Sequence, residues 1–253
     1  MDRWIKKVAV VTGASSGIGA AIVVDLVKAG MIVIGLARRV EKVEELKGKI
    51  PSECAGELHS FKCDVQQEES VKAAFEWVEQ TFGGIDVLVN NAGIVTQAKL
   101  VDLDNTAKIK SVIDTNIMGV YYCTRIAFHS MKKRDVDGHI IIINSVAGHK
   151  VPYNLTIPPL NMYPASKHAV TAMTELYRQE FQRENTKIKI TSISPGAVRT
   201  EIMGPDTPEV EALLKDFPML KSEDVSASVL YVLGTPPHVQ VHELIIKPIG
   251  ERI

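Results

Sequence analysis

Tyr163 and Lys167 have the residue types and the spacing to move a proton. They lie four residues apart in the segment Met162-Tyr-Pro-Ala-Ser-Lys167, and residues with this spacing share one face of a helix. An ammonium about 4 Å from a phenol stabilises the phenolate by roughly 4 kcal/mol at an effective dielectric near 20. The phenol's pKa then falls toward neutral pH. Such a tyrosine donates or accepts a proton at neutral pH.

A glycine-rich turn near the N-terminus is the second feature with a chemical use. Gly13, Gly17 and Gly19 follow an apolar run typical of a strand and open a stretch typical of a helix. Glycines there allow a close backbone approach, so that the helix N-terminus can hold a pyrophosphate. The spacing differs from the common G-x-G-x-x-G fingerprint, and a plain tight turn is the alternative. The strand–turn–helix context favours a dinucleotide site, whose other members are Ser15, Ser16 and Ile18.

The segment after the second predicted strand indicates which nucleotide is bound. Folds that prefer NAD place an acidic residue there, on the ribose 2′-hydroxyl, whereas this chain has Arg38 and Arg39. Guanidinium groups fit a 2′-phosphate, so the sequence predicts NADP, as NADP+ or NADPH. A solvated arginine pair is the alternative. Asp64 and Val65, which end the third predicted strand, are placed to meet the adenine, although an ordinary aspartate at a helix start also fits that position.

Strand-like apolar runs alternate with helical stretches along the whole chain. Strands are predicted at 7–12, 31–36, 58–63, 85–89, 139–144, 188–193 and 243–247, and helices at 17–28, 40–47, 68–81, 106–133, 162–184 and 222–233. Continuous apolar strands between helices indicate a parallel sheet buried on both faces. We therefore expect an α/β fold, a Rossmann-like doubly wound parallel sheet of about seven strands. One domain spans 1–253, with a cofactor half at about 1–144 and a catalytic and substrate half at about 145–253.

Two connections, 147–161 and 197–220, are longer than the others. Long loops in a compact domain are usually functional. Both connections follow the carboxyl end of a predicted strand, where open α/β sheets bind their ligands. We expect them to shape the substrate site.

Composition and charge exclude several classes of function. The chain has 253 residues, 45% of them hydrophobic, and a formal net charge of −1 with scattered basic residues, which argues against nucleic acid as a partner. No apolar run reaches the roughly 18 residues of a membrane span, and the N-terminus leaves no room for a signal peptide. Cys54, Cys63 and Cys123 lack metal-binding spacing. We expect reduced thiols, no metal site and a cytoplasmic protein.

These motifs together resemble the short-chain dehydrogenase/reductase family. The pattern runs over essentially the whole chain, as Thr12-Gly13-x3-Gly17-x-Gly19, Asn90-Asn-Ala-Gly93, Asn116, Ser145, Tyr163-x3-Lys167 and Pro195-Gly196. Three further stretches are similar to one subgroup, which includes insect NADP-dependent farnesol dehydrogenases and a mammalian cytosolic ketosteroid reductase. These are Leu36-Ala-Arg-Arg39, Asn144-Ser-x-x-Gly-His149 and the tail from Tyr231 to Gln240.

The resemblance implies a role for each matching residue. Tyr163 is the acid/base, Lys167 lowers its pKa and holds the nicotinamide ribose, and Ser145 orients the reacting oxygen by a hydrogen bond. Asn116 stabilises a helix irregularity and a water that relays protons to Lys167. The cofactor groove is lined by Asn90, Asn91, Ala92 and Gly93 after the fourth strand, and by Pro195, Gly196, Val198 and Thr200 after the sixth.

Purely structural roles are the alternatives for some of these residues. Ser145 at a strand end can cap backbone groups, and Asn116 can satisfy its own neighbourhood. We interpret His149 as a loop residue, because Tyr163 already covers the acid/base role. Ser145 and Tyr163 lie 18 residues apart, more than is usual in the family, so the extra loop is predicted to bulge near the substrate. A different serine alignment is the alternative, although the apolar strand directly before Ser145 supports this one.

The predicted substrate walls are largely apolar. They are Ile94, Val95, Val146, His149, Val151, Tyr153, Ala197, Val198, Ile202 and Met203. Such walls fit a lipophilic alcohol or carbonyl, and the resemblance implies an NADP-dependent alcohol dehydrogenase/carbonyl reductase, with farnesol oxidation as the leading hypothesis. A broad carbonyl or ketosteroid reductase and a non-catalytic NADP-binding regulator are the alternatives. The resemblance also implies a homodimer or homotetramer, formed through the helices at 106–133 and 162–184.

Overall fold

A seven-stranded parallel sheet organises the chain, with strand order β3-β2-β1-β4-β5-β6-β7. The computed structural model describes residues 1–152, 160–204 and 217–251. About half of the two long predicted connections, including the predicted pocket residue Tyr153, therefore lies outside the described residues. The order and direction of the strands confirm the predicted doubly wound α/β fold.

The strands lie close to where the apolar runs predict them. They are β1 (Val8–Thr12), β2 (Ile32–Ala37), β3 (Glu57–Lys62), β4 (Val87–Asn90), β5 (His139–Ile143), β6 (Lys189–Pro195) and β7 (Glu243–Ile246). Every residue of β1, β4, β5 and β6 is buried. Burial on both faces explains why β1, β4 and β5 read as nearly continuous apolar runs rather than as an alternating pattern. β6 is equally buried, although its sequence includes polar residues such as Lys189, Thr191 and Ser194.

The helices follow the prediction with two differences. They are α1 (Gly17–Lys28), α2 (Val40–Glu44), α3 (Glu68–Phe82), α4 (Thr106–Ile113), α5 (Gly119–Lys133), α6 (Tyr163–Arg183) and α7 (Ser222–Gly234). The helix predicted at 40–47 gives way to a 3₁₀ turn at Glu45–Lys49. The long helix predicted at 106–133 is interrupted by a π-helical turn at Asp114–Met118, which is the helix irregularity that the family resemblance implies at Asn116. Such turns are rare and occur frequently at functional sites.

Helices cover both faces of the sheet and enclose two apolar layers. On one face, α1 and α7 contribute buried residues such as Ile22, Leu26 and Val229. On the other face, α3 and α5 contribute residues such as Phe75 and Met131. Each fully buried side chain of this size stabilises the fold by roughly 1.5–3 kcal/mol. Among the helices in the described ranges, none has the length and apolar character that a membrane crossing requires.

The direction in which successive strands are added to the sheet reverses at β1. This strand pairs with β2 on one side and with β4 on the other. In open α/β sheets, ligands bind at such a switch point, outside the carboxyl ends of the strands. The residues after β1, β4, β5 and β6 therefore meet at one edge of the sheet, and they carry most of the residues that the sequence singles out.

Candidate active site

The glycine turn lies between β1 and α1 and needs its glycines. Gly13 and Gly17 have φ values of +65° and +54°, a region that favours glycine. A Cβ atom on Gly13 would be 2.8 Å from the Cα atom of Ala92, and one on Gly19 would be 2.3 Å from the carbonyl oxygen of Gly13. The backbone is therefore tightly packed here, with Ser15 and Ser16 in the turn and Ile18 in the first turn of α1.

The segment after β4 is bonded directly to this turn. The Asn91 side-chain amide donates to the carbonyl oxygens of Thr12 at 2.9 Å and Gly13 at 3.1 Å. The hydroxyl of Thr12 accepts from the backbone N–H groups of Asn91 and Ala92, both at 3.0 Å. Asn90 differs from the expectation, because its amide is buried and donates to Thr124 of α5 at 2.9 Å. Its side chain lies in the core and does not line the groove.

Asn116 lies within the π-helical turn and joins three elements. Its side chain is 1% exposed. The amide nitrogen donates to the Ile94 carbonyl and to the Ser166 hydroxyl, both at 3.0 Å, and the amide oxygen accepts from the Ile94 N–H at 2.9 Å. Ser166 in turn donates to the Tyr163 carbonyl oxygen at 2.7 Å. Asn116 therefore ties the segment after β4 to the first turn of α6.

Tyr163, Lys167 and Ser145 come together at the carboxyl end of β5. Tyr163 begins α6, Lys167 follows one turn later on the same face, and the Lys167 Nζ atom is 5.6 Å from the centre of the Tyr163 ring. The Lys167 ammonium donates to the carbonyl oxygen of Ile143 at 2.9 Å. Ser145 lies two residues after the end of β5. It forms a hydrogen bond with the Tyr163 side chain and caps a 3₁₀ turn by accepting from the Ala147 N–H at 3.1 Å.

The electrostatics of this pair differ from the expectation. Burial raises the pKa of Tyr163, and the hydrogen bond with Ser145 opposes that rise. Burial lowers the pKa of Lys167 from 10.5 to about 8, because a low-dielectric surrounding disfavours the charged form. The prediction that the Lys167 ammonium lowers the pKa of the phenol is therefore wrong for this structure, in which the pKa of Tyr163 is raised. The two groups share a helix face as predicted, with Lys167 buried and Tyr163 only partly exposed.

The two arginines after β2 lie in different surroundings. The Arg39 Nη2 atom lies 3.3 Å from the Ser15 hydroxyl and 3.2 Å from the Ser16 hydroxyl, so its guanidinium reaches the glycine turn. It also forms an ion pair with Glu201 at 2.8 Å. Arg38 is exposed and forms no hydrogen bond or ion pair within the described part of the chain. Of the two predicted arginines, Arg39 is therefore the one that contacts the glycine turn.

Asp64 and Val65 lie after β3, beside the start of α3. The Asp64 carboxylate accepts from the Gln66 N–H at 3.1 Å, and the Asp64 backbone N–H donates to the Ser70 hydroxyl at 3.0 Å. Val65 packs against Gly119, where an added Cβ would lie 3.0 Å from the Val65 side chain. These contacts give Asp64 the turn-capping role that the sequence left as the alternative.

The segment after β6 closes one side of the groove. Pro195 ends β6, and the Gly196 backbone is so close to the Glu251 carboxylate that a Cβ would lie 2.1 Å from it. Val198 forms an isolated bridge with Leu220. Thr200 lies over the glycine turn, because a Cβ on Gly17 would be 3.0 Å from its methyl carbon. The cofactor residues predicted after β1 and β6 are thus neighbours.

His149 makes contacts within the fold, which agrees with its interpretation as a loop residue. Its Nε2 atom lies 2.8 Å from a Glu243 carboxylate oxygen and 3.1 Å from the Ser194 hydroxyl. The ring therefore joins the turn after Ser145 to β6 and β7. Of the predicted wall residues, Val146 and Val198 are buried, whereas Val151 is 62% exposed and Ile202 is 42% exposed.

Sequence reasoning missed four contributors to this region. They are the Thr12 hydroxyl, the Ile143 carbonyl, Ser166 and Glu201. Thr12 begins the glycine motif and Ser166 lies within Tyr163-x3-Lys167, so their positions in the sequence could have indicated their roles. The Ile143 carbonyl and Glu201 act through contacts between distant segments, for which a single sequence carries no sign.

Comparison with known proteins agrees with this geometry. The family described as "short chain dehydrogenase" matches residues 7–211. Farnesol dehydrogenase of Aedes aegypti is 59% identical over 253 residues, which are 100% of both chains. Dehydrogenase/reductase SDR family member 11 of Gallus gallus is 42% identical over 98% of each chain.

Solved structures agree as well. A closed form of serine dehydrogenase complexed with NADP+ is similar with a TM-score of 0.85 and 30% identity, covering 97% of this chain and 96% of that one. An alcohol dehydrogenase from Thermococcus sibiricus, complexed with 5-hydroxy-NADP, has a TM-score of 0.82 and 29% identity over 98% of both chains. With the family match covering most of the sequence, this chain belongs to the short-chain dehydrogenases.

Proposed function

We propose that this protein is an NADP-dependent oxidoreductase that interconverts an alcohol and its aldehyde or ketone. The observation that carries the proposal is the grouping of Tyr163, Ser145 and Lys167 at the carboxyl end of β5. A phenol, a hydroxyl and a buried ammonium at the ligand edge of a doubly wound sheet can bind and protonate a single oxygen atom. The 59% identity to a farnesol dehydrogenase supports the same reaction class.

The residues around the glycine turn fit a dinucleotide phosphate. Cβ atoms on Gly13 and Gly19 would collide with the backbone of Ala92 and Gly13, so these two glycines keep the turn tight. The N-terminus of α1, which follows the turn, can then bind a pyrophosphate. Arg39 lies against Ser15 and Ser16 of this turn, where a guanidinium can bind a 2′-phosphate. When bound, the nicotinamide supplies or accepts the hydride at the carbinol carbon.

Tyr163 and Ser145 handle the oxygen of the substrate. In reduction, the Tyr163 hydroxyl gives its proton to the oxygen as the carbonyl becomes an alcohol. In oxidation, the phenolate takes the hydroxyl proton, so that one proton and one hydride leave the alcohol. The Ser145 hydroxyl forms a hydrogen bond with the Tyr163 side chain, and we assign it to orient the same oxygen. General acid–base transfer of this kind contributes about 10²- to 10⁴-fold to the rate.

Lys167 and Asn116 meet beside the segment after β4. A Cβ on Gly93 would lie 3.9 Å from the Lys167 Nζ atom and 3.6 Å from the Asn116 amide oxygen. We assign Lys167 to hold the nicotinamide ribose and to exchange protons with Tyr163, and Asn116 to keep this corner in place. Gly93 leaves the room that both side chains share.

We propose a lipophilic substrate, with farnesol first among the candidates. The apolar residues Val146 and Val198 are buried, and Val151 and Ile202 are exposed apolar residues of the two long connections. A pocket with such walls binds an isoprenoid better than a charged alcohol. The Aedes aegypti relative makes farnesol the first compound to test.

A steady-state panel tests the proposal directly. Farnesol, retinol and steroid alcohols would be oxidised with NADP+, and farnesal, retinal and ketosteroids reduced with NADPH, each repeated with NAD+ or NADH. We expect farnesol and NADP+ to give the highest kcat/KM for oxidation. Preferred turnover of ketosteroids would favour a ketosteroid reductase. Tight NADPH binding without any turnover would make the protein a nucleotide-binding regulator.

We further propose a homodimer or homotetramer in the cytoplasm. The faces of α5 and α6 that turn away from the sheet include Leu176, which is 57% exposed, and pairing of these helices between copies would cover it. Cys54, Cys63 and Cys123 are all free thiols, which is typical of a reducing compartment. Light scattering of the purified protein and fractionation of its source cells would test these two statements.

A further inference from the structure

The carboxylate of Glu201 bridges the two anion-binding parts of the groove. It forms an ion pair with the Arg39 Nη2 atom at 2.8 Å. It also accepts from the Ser16 hydroxyl at 3.1 Å. The same Nη2 atom lies within 3.3 Å of the Ser15 hydroxyl. A negative charge from a segment 162 residues further along the chain therefore lies on the cation that the proposed function assigns to the 2′-phosphate.

The segment just before Glu201 is held by contacts with two other parts of the chain. On one side, Thr200 packs over Gly17 of the glycine turn. On the other side, the Arg199 N–H donates to the Leu220 carbonyl at 3.0 Å, and the Leu220 N–H donates to the Ala197 carbonyl at 2.8 Å. Glu201 itself begins a 3₁₀ turn, Glu201–Met203. The backbone thus holds the carboxylate over the phosphate cradle.

Glu201 is ionised at neutral pH. The Arg39 guanidinium lowers the pKa of this carboxyl, and the Ser16 hydrogen bond lowers it further. A phosphate entering beside Arg39 meets this fixed negative charge and must share or take over the guanidinium. Like charges on one binding group disfavour each other. The Arg39 and Glu201 side chains are 48% and 64% exposed, so solvent screens the effect and keeps it modest.

We propose that Glu201 is a specificity-determining residue for the nucleotide. Its carboxylate competes with the 2′-phosphate for Arg39 and so reduces the preference for NADP over NAD. This inference rests on the proposed NADP-dependent function. The pyrophosphate is common to both nucleotides, and any repulsion between it and Glu201 cancels in the ratio of their affinities. A change in this affinity ratio therefore reports the competition between Glu201 and the 2′-phosphate for Arg39.

Calorimetric titration of the full chain tests the proposal without turnover. NADP+, NAD+ and 2′-AMP would be titrated into the wild type, Glu201→Gln and Glu41→Gln. Glu41 is a carboxylate two residues after Arg39 that forms no ion pair within the described ranges, so its replacement is a matched loss of charge. We expect Glu201→Gln to raise the NADP+/NAD+ affinity ratio about two- to fivefold and to tighten 2′-AMP binding. Glu41→Gln should change the ratio less than about twofold.

Two further measurements make the outcome decisive. The gain from Glu201→Gln should shrink at high salt, because screening weakens exposed charge interactions, and it should shrink in an Arg39→Ala background. An unchanged ratio in Glu201→Gln would overturn the inference. A weaker NADP+ affinity would also overturn it, since Glu201 would then orient Arg39 for the phosphate. If the wild type shows no preference for NADP+ and Arg39→Ala has no effect, the proposed cofactor itself is wrong.

Discussion

The Lys167 ammonium lies over the Tyr163 ring, 5.6 Å from its centre, and donates its hydrogen bond to the Ile143 carbonyl oxygen at 2.9 Å. The cation is therefore one helical turn from the phenol but is not bonded to it. Burial favours the neutral form of each group, lowering the pKa of Lys167 and raising that of Tyr163. Within the described residues, the contact that lowers the pKa of Tyr163 is its hydrogen bond with Ser145.

Replacing Ser145 should move the pH dependence of alcohol oxidation. The base in this direction is the Tyr163 phenolate, so kcat/KM rises with pH through the pKa of that phenol. In Ser145→Ala, loss of the hydrogen bond should raise this pKa and shift the rising limb to higher pH, with a lower kcat. Ser145→Thr keeps a hydroxyl and serves as the matched control. An unshifted limb in Ser145→Ala would mean that Ser145 does not tune Tyr163.

Lys167 should make stability depend on pH in a defined direction. Its pKa is about 8 in the folded chain, compared with an ordinary value of 10.5, so the unfolded chain binds more protons between these values. The burial penalty of the charged lysine is present below pH 8 and is relieved as the pH rises toward 10.5. The full penalty is on the order of 3 kcal/mol.

Urea unfolding of the wild type and Lys167→Met checks this direction. The free energy of unfolding of the wild type should rise relative to the variant between pH 7 and pH 10, by about 2–3 kcal/mol. Other titrating groups, including Lys189, are present in both proteins and cancel. Lys28→Met, at the exposed end of α1, should give no such trend. A constant difference for Lys167→Met would show that the buried ammonium carries no such penalty.

Gly19 should not tolerate a methyl group, whereas Gly48 should. A Cβ on Gly19 would lie 2.3 Å from the Gly13 carbonyl oxygen, and one on Gly48 has no atom within 4 Å. Gly19→Ala should displace the turn, abolish NADP+ binding in a fluorescence titration and lower the thermal midpoint. Gly48→Ala should bind normally and gain up to about 1 kcal/mol, because alanine restricts the unfolded chain. Normal nucleotide binding by Gly19→Ala would remove the glycine turn from the cofactor site.

Arg38 and Arg39 should contribute unequally to the choice of nucleotide. Arg39 lies against the glycine turn, and Arg38 is exposed beside it. Arg39→Ala should weaken NADP+ about ten- to hundredfold, as expected for loss of a charged hydrogen bond worth roughly 1.5–3 kcal/mol. NAD+ binding should change little. Arg38→Ala should also cost NADP+ more than NAD+, by a smaller factor. Equal losses for both nucleotides in both variants would contradict the 2′-phosphate assignment.

The sequence predicts the sheet well because its pattern is local. Strands β1, β4 and β5 are nearly continuous apolar runs between helical stretches, and the ends of the strands lie within two residues of the expected positions. The π-helical turn around Asn116 is not local. It accompanies hydrogen bonds to Ile94 and Ser166, which are 22 and 50 residues away. The helical pattern over 106–133 does not show it, and the expectation of a helix irregularity at Asn116 comes from the family resemblance instead.

The chemistry of the site was predictable in its residue types and less so in its electrostatics. The spacing of Tyr163 and Lys167 fixes their shared helix face, but the direction of each pKa shift depends on how completely the fold excludes water. Arg39 could be predicted as a candidate phosphate ligand from its position after β2. Its partner Glu201 could not, because the contact forms only when the segments after β2 and β6 meet.

Single-turnover oxidation of farnesol by Tyr163→Phe tests the central claim most directly. Enzyme in excess over NADP+ would be mixed with farnesol and the formation of NADPH followed by absorbance, with Tyr122→Phe as a control tyrosine on α5. We predict that Tyr163→Phe binds NADP+ like the wild type but forms NADPH at least about 10²-fold more slowly, while Tyr122→Phe reacts normally. A rate in Tyr163→Phe equal to that of the wild type would contradict the assignment of Tyr163 as the acid/base.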